Sequence, residues 1–203
     1  MSELLDGARG DRMPLEEYRA DFQRHFWRIA EPGFWKLERQ QHFKEPENDS
    51  WVAFASGDWA EAMRLIESRR SSLADYYRRI AERGFGTWRV RVVEEPITPY
   101  LQWELHLLRI RHEYGGKVHV VDVEQVEHFE KGGPLPEIYT LGNDVMYQAE
   151  YDEEGVLQAG IRYQGRSLIM RCQQFIQDLY EMGESLSSYF ERRVVPLAAP
   201  RGE

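Results

Sequence analysis

A single cysteine, Cys172, is the most economical fact about this chain of 203 residues. It excludes an internal disulfide and any paired-cysteine metal motif, and it suits a reducing compartment. No stretch of about 18 apolar residues is present, so no membrane-spanning helix is expected. The start, Met1-Ser-Glu-Leu-Leu-Asp6, lacks the basic flank and apolar run of a secretory leader, and a cytoplasmic protein is expected. Cations are in the minority, with 26 Lys and Arg against 35 Asp and Glu, a formal net charge of -9. Direct nucleic-acid binding is therefore disfavoured unless the basic residues gather on one face. The dense basic clusters, Arg69-Arg70, Arg78-Arg79 and Arg109-Ile-Arg111, lie in amphipathic helical patterns and read as solvated or ion-paired faces.

Catalytic signatures are also missing. There is no Gly-rich phosphate loop before a helix, no His-Glu-x-x-His and no Gly-x-Ser-x-Gly elbow. The six histidines are scattered. His119 and Asp122 fall on opposite faces of a strand with no third ligand, so no metal or cofactor is expected. Whether any reaction is catalysed is left open by these residues.

What is present is a globular composition, 42% hydrophobic and 30% charged, with 6 Trp, 11 Tyr and 9 Phe. Residues 1–13 and 195–203 lack periodicity and are expected to be mobile, leaving a single α+β domain over 14–194. Pro14 opens a helix carrying Leu15, Tyr18, Phe22, Phe26 and Ile29, and a short extended piece follows from Phe34. Asp58 caps a helix whose apolar phase runs unbroken to Gly84, predicting one helix with at most a bend at Arg69–Ser72. Trp88–Val93 alternates as a strand, Thr98-Pro99 starts a helix to Tyr114, and Val118–Val121 reads as a buried strand. Strands are expected at about 137–141, 144–151 and 155–163, the last two joined by the acidic turn Asp152–Gly155. Leu168, Cys172, Phe175, Leu179, Met182, Leu186 and Phe190 keep phase to about Arg192, predicting a long C-terminal helix or two collinear ones hinged at Gly183. The fold class is α+β, a mixed, largely antiparallel sheet packed by amphipathic helices.

Two features point toward function. The first is Glu104, at the centre of the apolar face formed by Tyr100, Leu101, Trp103, Leu105, Leu107, Leu108 and Ile110, with Arg111 on the same side. A buried carboxylate needs a cation, loses its charge, or lines a cleft. The preceding strand offers Arg89 and Arg91, so the residues form either a structural Arg–Glu pair or a ligand site. The ligand-binding candidates are Arg89, Arg91, Tyr100, Trp103, Glu104 and Arg111, suited to an anionic or amine-bearing molecule. The second is the C-terminal stripe Cys172, Phe175, Leu179, Leu186 and Phe190, a candidate seam for a partner helix or a second copy of the chain.

The segment Arg89-Val-Arg-Val-Val-Glu-Glu-Pro-Ile-Thr-Pro-Tyr-Leu-Gln-Trp-Glu-Leu105 resembles a family of uncharacterised actinobacterial proteins, a domain of unknown function. Phe34-Trp-Lys-Leu-Glu-Arg39, Phe54-Ala-Ser-Gly57 and Tyr151-Asp-Glu-Glu-Gly-Val-Leu-Gln-Ala-Gly160 are similar to other parts of that family, so the likeness spans roughly residues 20–163. Ile138-Tyr-Thr-Leu-Gly142 departs from the family's aromatic-rich segment. Genes of this family often neighbour helix-turn-helix regulators. The resemblance therefore implies a regulatory or accessory role through protein–protein binding, with such a regulator or a homodimer as the partner.

Overall fold

The computed structural model describes residues 3–200. Eight strands form one sheet in the order β1-β7-β6-β5-β2-β3-β4-β8. The strands are β1 (Asp11–Pro14), β2 (Phe34–Glu38), β3 (Thr87–Val93), β4 (Gly116–Asp122), β5 (Ile138–Leu141), β6 (Val145–Tyr151), β7 (Leu157–Tyr163) and β8 (Glu184–Ser185). β2, β3 and β4 run parallel, and the remaining neighbours are antiparallel. The mixed, largely antiparallel α+β architecture expected from the sequence is thus what the chain adopts.

Helices cover both faces. α1 (Leu15–Phe26), α2 (Asp49–Ala55), α3 (Trp59–Ser68), α4 (Arg70–Glu82) and α5 (Pro99–Glu113) lie on one side, and α7 (Arg166–Met182) on the other, with the short α6 (Val123–Val126) after β4. Alternation along β2 and β3 divides the core between the two faces. Trp35, Leu37, Val90 and Val92 pack with Ile169, Cys172, Ile176 and Leu179 of α7. Phe34 instead joins the aromatic layer under α1 and α4, with Tyr18, Phe26, Tyr77, Tyr139 and Tyr147. α5 starts where predicted: Thr98 accepts the Leu101 N–H at 3.1 Å and Pro99 occupies the first helical position.

Three expectations are corrected. The helix expected from Asp58 to Gly84 is two, because Arg69 (φ -80°, ψ -6°), right-handed but with ψ opened into a turn, serves as both the end of α3 and the cap of α4. The apolar phase survives the break because Leu73 N–H still bonds to Arg69 O. Likewise the C-terminal helix expected to run to about Arg192 is cut short. It stops at Gly183, which is extended (φ -77°, ψ 161°), and Glu184 and Ser185 pair with Val120 and His119 of β4. A side chain at Gly183 would place its Cβ 2.8 Å from Val120 O, so this close approach is open to glycine. The chain then turns through α8 (Leu186–Tyr189) and a π-helical turn, Phe190–Val194. Leu186 and Phe190 keep their apolar character because they pack against α5, a different neighbour from that of α7. Third, Asp11, Arg12 and Met13, assigned by composition to a mobile segment, pair with β7 together with Pro14, and Leu5 is buried. Residues 1, 2 and 201–203 of the two segments expected to be mobile lie outside the described residues. Among the described residues no helix is long and apolar enough to cross a membrane.

Candidate functional site

The parallel register of β2 and β3 sets Lys36 beside Arg89 and Glu38 beside Arg91, so four charges share one face of the sheet. Glu38 is 4% exposed and carries two cations: Lys36 Nζ lies 2.5 Å from its Oε1, and an Arg89 guanidinium nitrogen donates to its Oε2. Burial alone would raise the Glu38 pKa, but Arg89, Lys36 and Arg91 together hold it far below the usual carboxylate range. Behind this triad, Arg91 is fully buried and has every nitrogen engaged. Its Nε donates to Glu104 Oε2 at 2.8 Å, one terminal nitrogen to Gln40 O at 2.7 Å and the other to Val92 O at 3.1 Å. Burial pushes Glu104 above the usual carboxylate range, Arg91 opposes that shift, and the Glu38 charge adds to it.

The predicted site therefore separates into two sets. Arg91 and Trp103 are internal supports, the latter fully buried with its Nε1 donating to Ser50 Oγ at 2.9 Å. Arg89, Tyr100, Glu104 and Arg111 line a two-lobed cleft. Tyr100 is anchored there by donating to Glu45 Oε1 at 2.9 Å. The larger lobe, about 660 Å³, lies between α1, α2, α5 and the 43–48 loop. The smaller, about 270 Å³, is walled mainly by aromatic rings, among them Tyr18, Phe22, Phe34, Tyr76, Tyr77 and Tyr139. Lys36, Arg89, Arg111, Tyr151 and Leu157 border both, so the cations sit at the waist.

Two of the lining arginines, Arg69 and Arg111, differ from their neighbours in the same basic clusters. Arg70, Arg78 and Arg109 each have a carboxylate partner, as expected of solvated helix faces. Arg69 and Arg111, both partly buried, have no ion pair or side-chain hydrogen bond among the described residues. Burial and the neighbouring Arg111 charge lower the Arg69 pKa, against the pull of Glu45 and Asp49. Two guanidiniums thus repel each other across a partly desolvated space. Counting the waist itself, Lys36, Arg89 and Arg111 face one carboxylate, Glu38, because Glu104 is neutralised by Arg91.

Sequence reasoning missed Lys36, Glu38, Arg69, Tyr76, Tyr77 and Tyr151. The Phe34–Glu38 alternation carried a signal for Lys36 and Glu38, which share the strand face that Arg89 and Arg91 occupy next door. The candidate partner seam is corrected: Cys172, Leu179, Leu186 and Phe190 are each at most 1% exposed, and Phe175 packs on Phe129. The stripe covers this chain's own sheet and α5. Among the described residues no group of three or more His, Cys, Asp or Glu is placed to hold a metal ion.

Residues 20–191 match the model of a family described as "Domain of unknown function (DUF6879)". No curated protein matches the chain in sequence. A solved structure described as "Structure of TrmBL2, an archaeal chromatin protein, shows a novel mode of DNA binding" aligns with a TM-score of 0.40 and 7% identity. That alignment covers 85% of this chain and 51% of the other, so the chain spans about half the length of that structure. At this score the likeness carries no argument.

Proposed function

The chain belongs to the family described as Domain of unknown function (DUF6879), which assigns no activity, and from its geometry we propose that it binds a small anionic molecule in the two-lobed cleft. The observation that carries this reading is the pair Arg69 and Arg111: partly buried, close enough to repel, and without an ion pair or side-chain hydrogen bond among the described residues, Glu45 and Asp49 acting on Arg69 only from beyond contact. An anion between them converts repulsion into two attractive contacts, and desolvated cations bind anions more strongly than exposed ones. The larger lobe has the size of a small-molecule site, which typically measures about 300–1,000 Å³. Protein–protein binding through the C-terminal stripe lacks an accessible surface. A regulatory role fits this reading in another form: if the actinobacterial setting beside a helix-turn-helix regulator that the family resemblance implies holds, cleft occupancy is the signal a partner reads.

Thermal melting in inorganic phosphate tests the proposal. Phosphate at about 100 times its Kd stabilises by about 2.7 kcal/mol, a rise in Tm of about 5–10 °C for a chain of this size. Arg111→Met should remove the rise, while Arg78→Met, on an exposed helix face, keeps it. An equal rise in Arg111→Met would mark a general salt effect and overturn the reading.

A further inference from the structure

The cleft's two lobes differ in chemistry, and that difference bears on which anions fit. This inference rests on the anion-binding reading above. The smaller lobe is bounded by Tyr18, Phe22, Phe34, Tyr76, Tyr77 and Tyr139, and its only cations, besides Lys117 at the rim, are the waist residues Lys36, Arg89 and Arg111. Tyr76 stacks on Phe26 at 12° between ring planes with centroids 6.0 Å apart, which fixes its ring as part of a rigid wall. Phe22 meets Tyr139 and Tyr147 edge-on, at 5.7 and 6.1 Å between centroids. A volume of about 270 Å³ exceeds the roughly 150 Å³ in which an apolar cavity holds benzene, so a substituted ring fits.

Hydroxyls stand beside these cations, at the waist and in the smaller lobe. Tyr76 lies within electrostatic reach of Arg111, Arg89 and Tyr77, and burial raises its pKa to about 12, so it remains a neutral donor. The Tyr151 hydroxyl has no protein hydrogen-bond partner among the described residues, and Tyr151 borders both lobes. Three cations against one carboxylate leave a local excess of two positive charges beside these donors. We infer that the ligand is an anionic group, a phosphate monoester or carboxylate, attached to a flat aromatic ring: the anion sits at the Lys36–Arg89–Arg111 waist, with Arg69 on its larger-lobe side, and the ring enters the tyrosine-lined lobe.

Calorimetric titration of the full chain with methyl phosphate and phenyl phosphate separates the ring from the headgroup, since both are monoesters. Phenyl phosphate should bind at least about tenfold more tightly, the ring's burial exceeding its ordering cost. Ala149→Phe, which fills the smaller lobe from β6, should abolish that advantage while leaving methyl phosphate binding intact. Equal affinities for the two esters in the wild-type chain would overturn this inference and leave the anion site standing. Binding of neither ester would overturn both. The wild-type comparison decides the matter even if Ala149→Phe does not fold.

Discussion

Arg91→Met should cost about 3–5 kcal/mol of stability, the range for removing one partner of a buried ion pair. The change nearly conserves volume, so the loss is electrostatic. Glu104, 5% exposed, would keep a charge with no cation within hydrogen-bonding distance, and the Gln40 carbonyl would lose its donor, while Val92 O would keep the Gln41 side-chain amide, which donates to it at 2.9 Å. Glu104→Gln should cost less, about 1–3 kcal/mol, because an amide oxygen still accepts from Arg91 and Glu38 still neutralises part of its charge. Combining Arg91→Met with Glu104→Leu should recover only part of the loss, since the Gln40 carbonyl remains unpaired. Urea unfolding measures all three. A cost below about 1 kcal/mol for Arg91→Met would show that the pair does not hold α5 to the sheet.

The second large effect concerns Glu137. Its Oε1 accepts the Arg39 and Gln40 N–H groups at 2.7 and 2.6 Å, while its Oε2 is buried without a partner. Burial, reinforced by the Glu38 charge and opposed by Arg91 and the two N–H groups, raises its pKa from 4.5 to about 7. A carboxyl whose pKa is higher folded than unfolded contributes stability that is complete below about pH 4.5 and lost as the pH rises through about 7. At about 1.36 kcal/mol per unit the loss approaches 3 kcal/mol. In Glu137→Gln one oxygen still accepts both N–H groups and nothing titrates. The stability difference between variant and wild type should therefore move by about 3 kcal/mol in the variant's favour between about pH 4 and pH 8. Parallel pH profiles for the two proteins would contradict this assignment.

Glu104 was legible because its defect is local: one carboxylate at the centre of a helical apolar face demands a cation, and the strand immediately before it supplied Arg91. α5, β3 and the hairpin strands were legible for the same reason, each carrying its own period and punctuation. Arg69 was not, because in sequence it is indistinguishable from Arg70 beside it, and only the break at α3–α4 gives the two different surroundings. Lys36 and Glu38 depended on the parallel pairing of β2 with β3, a contact across about 50 residues that no local pattern specifies. α2 was missed because seven residues with two buried side chains, Ser50 and Phe54, carry too little periodicity. The C-terminal stripe misled for a complementary reason: periodicity reports that a face is buried, and it is silent on what buries it. Leu179 and Leu186 share a phase although the one faces the sheet and the other α5.

The most direct test of the anion site is an NMR titration with phenyl phosphate that follows the arginine Nε–H resonances. Arg111, Arg69 and Arg89 should shift saturably with one common Kd, while Arg91, whose donors are all committed inside the protein, and Arg78, on an exposed face, stay in place. An unmoved Arg111, or an Arg78 shift as large as that of Arg111, would contradict the account.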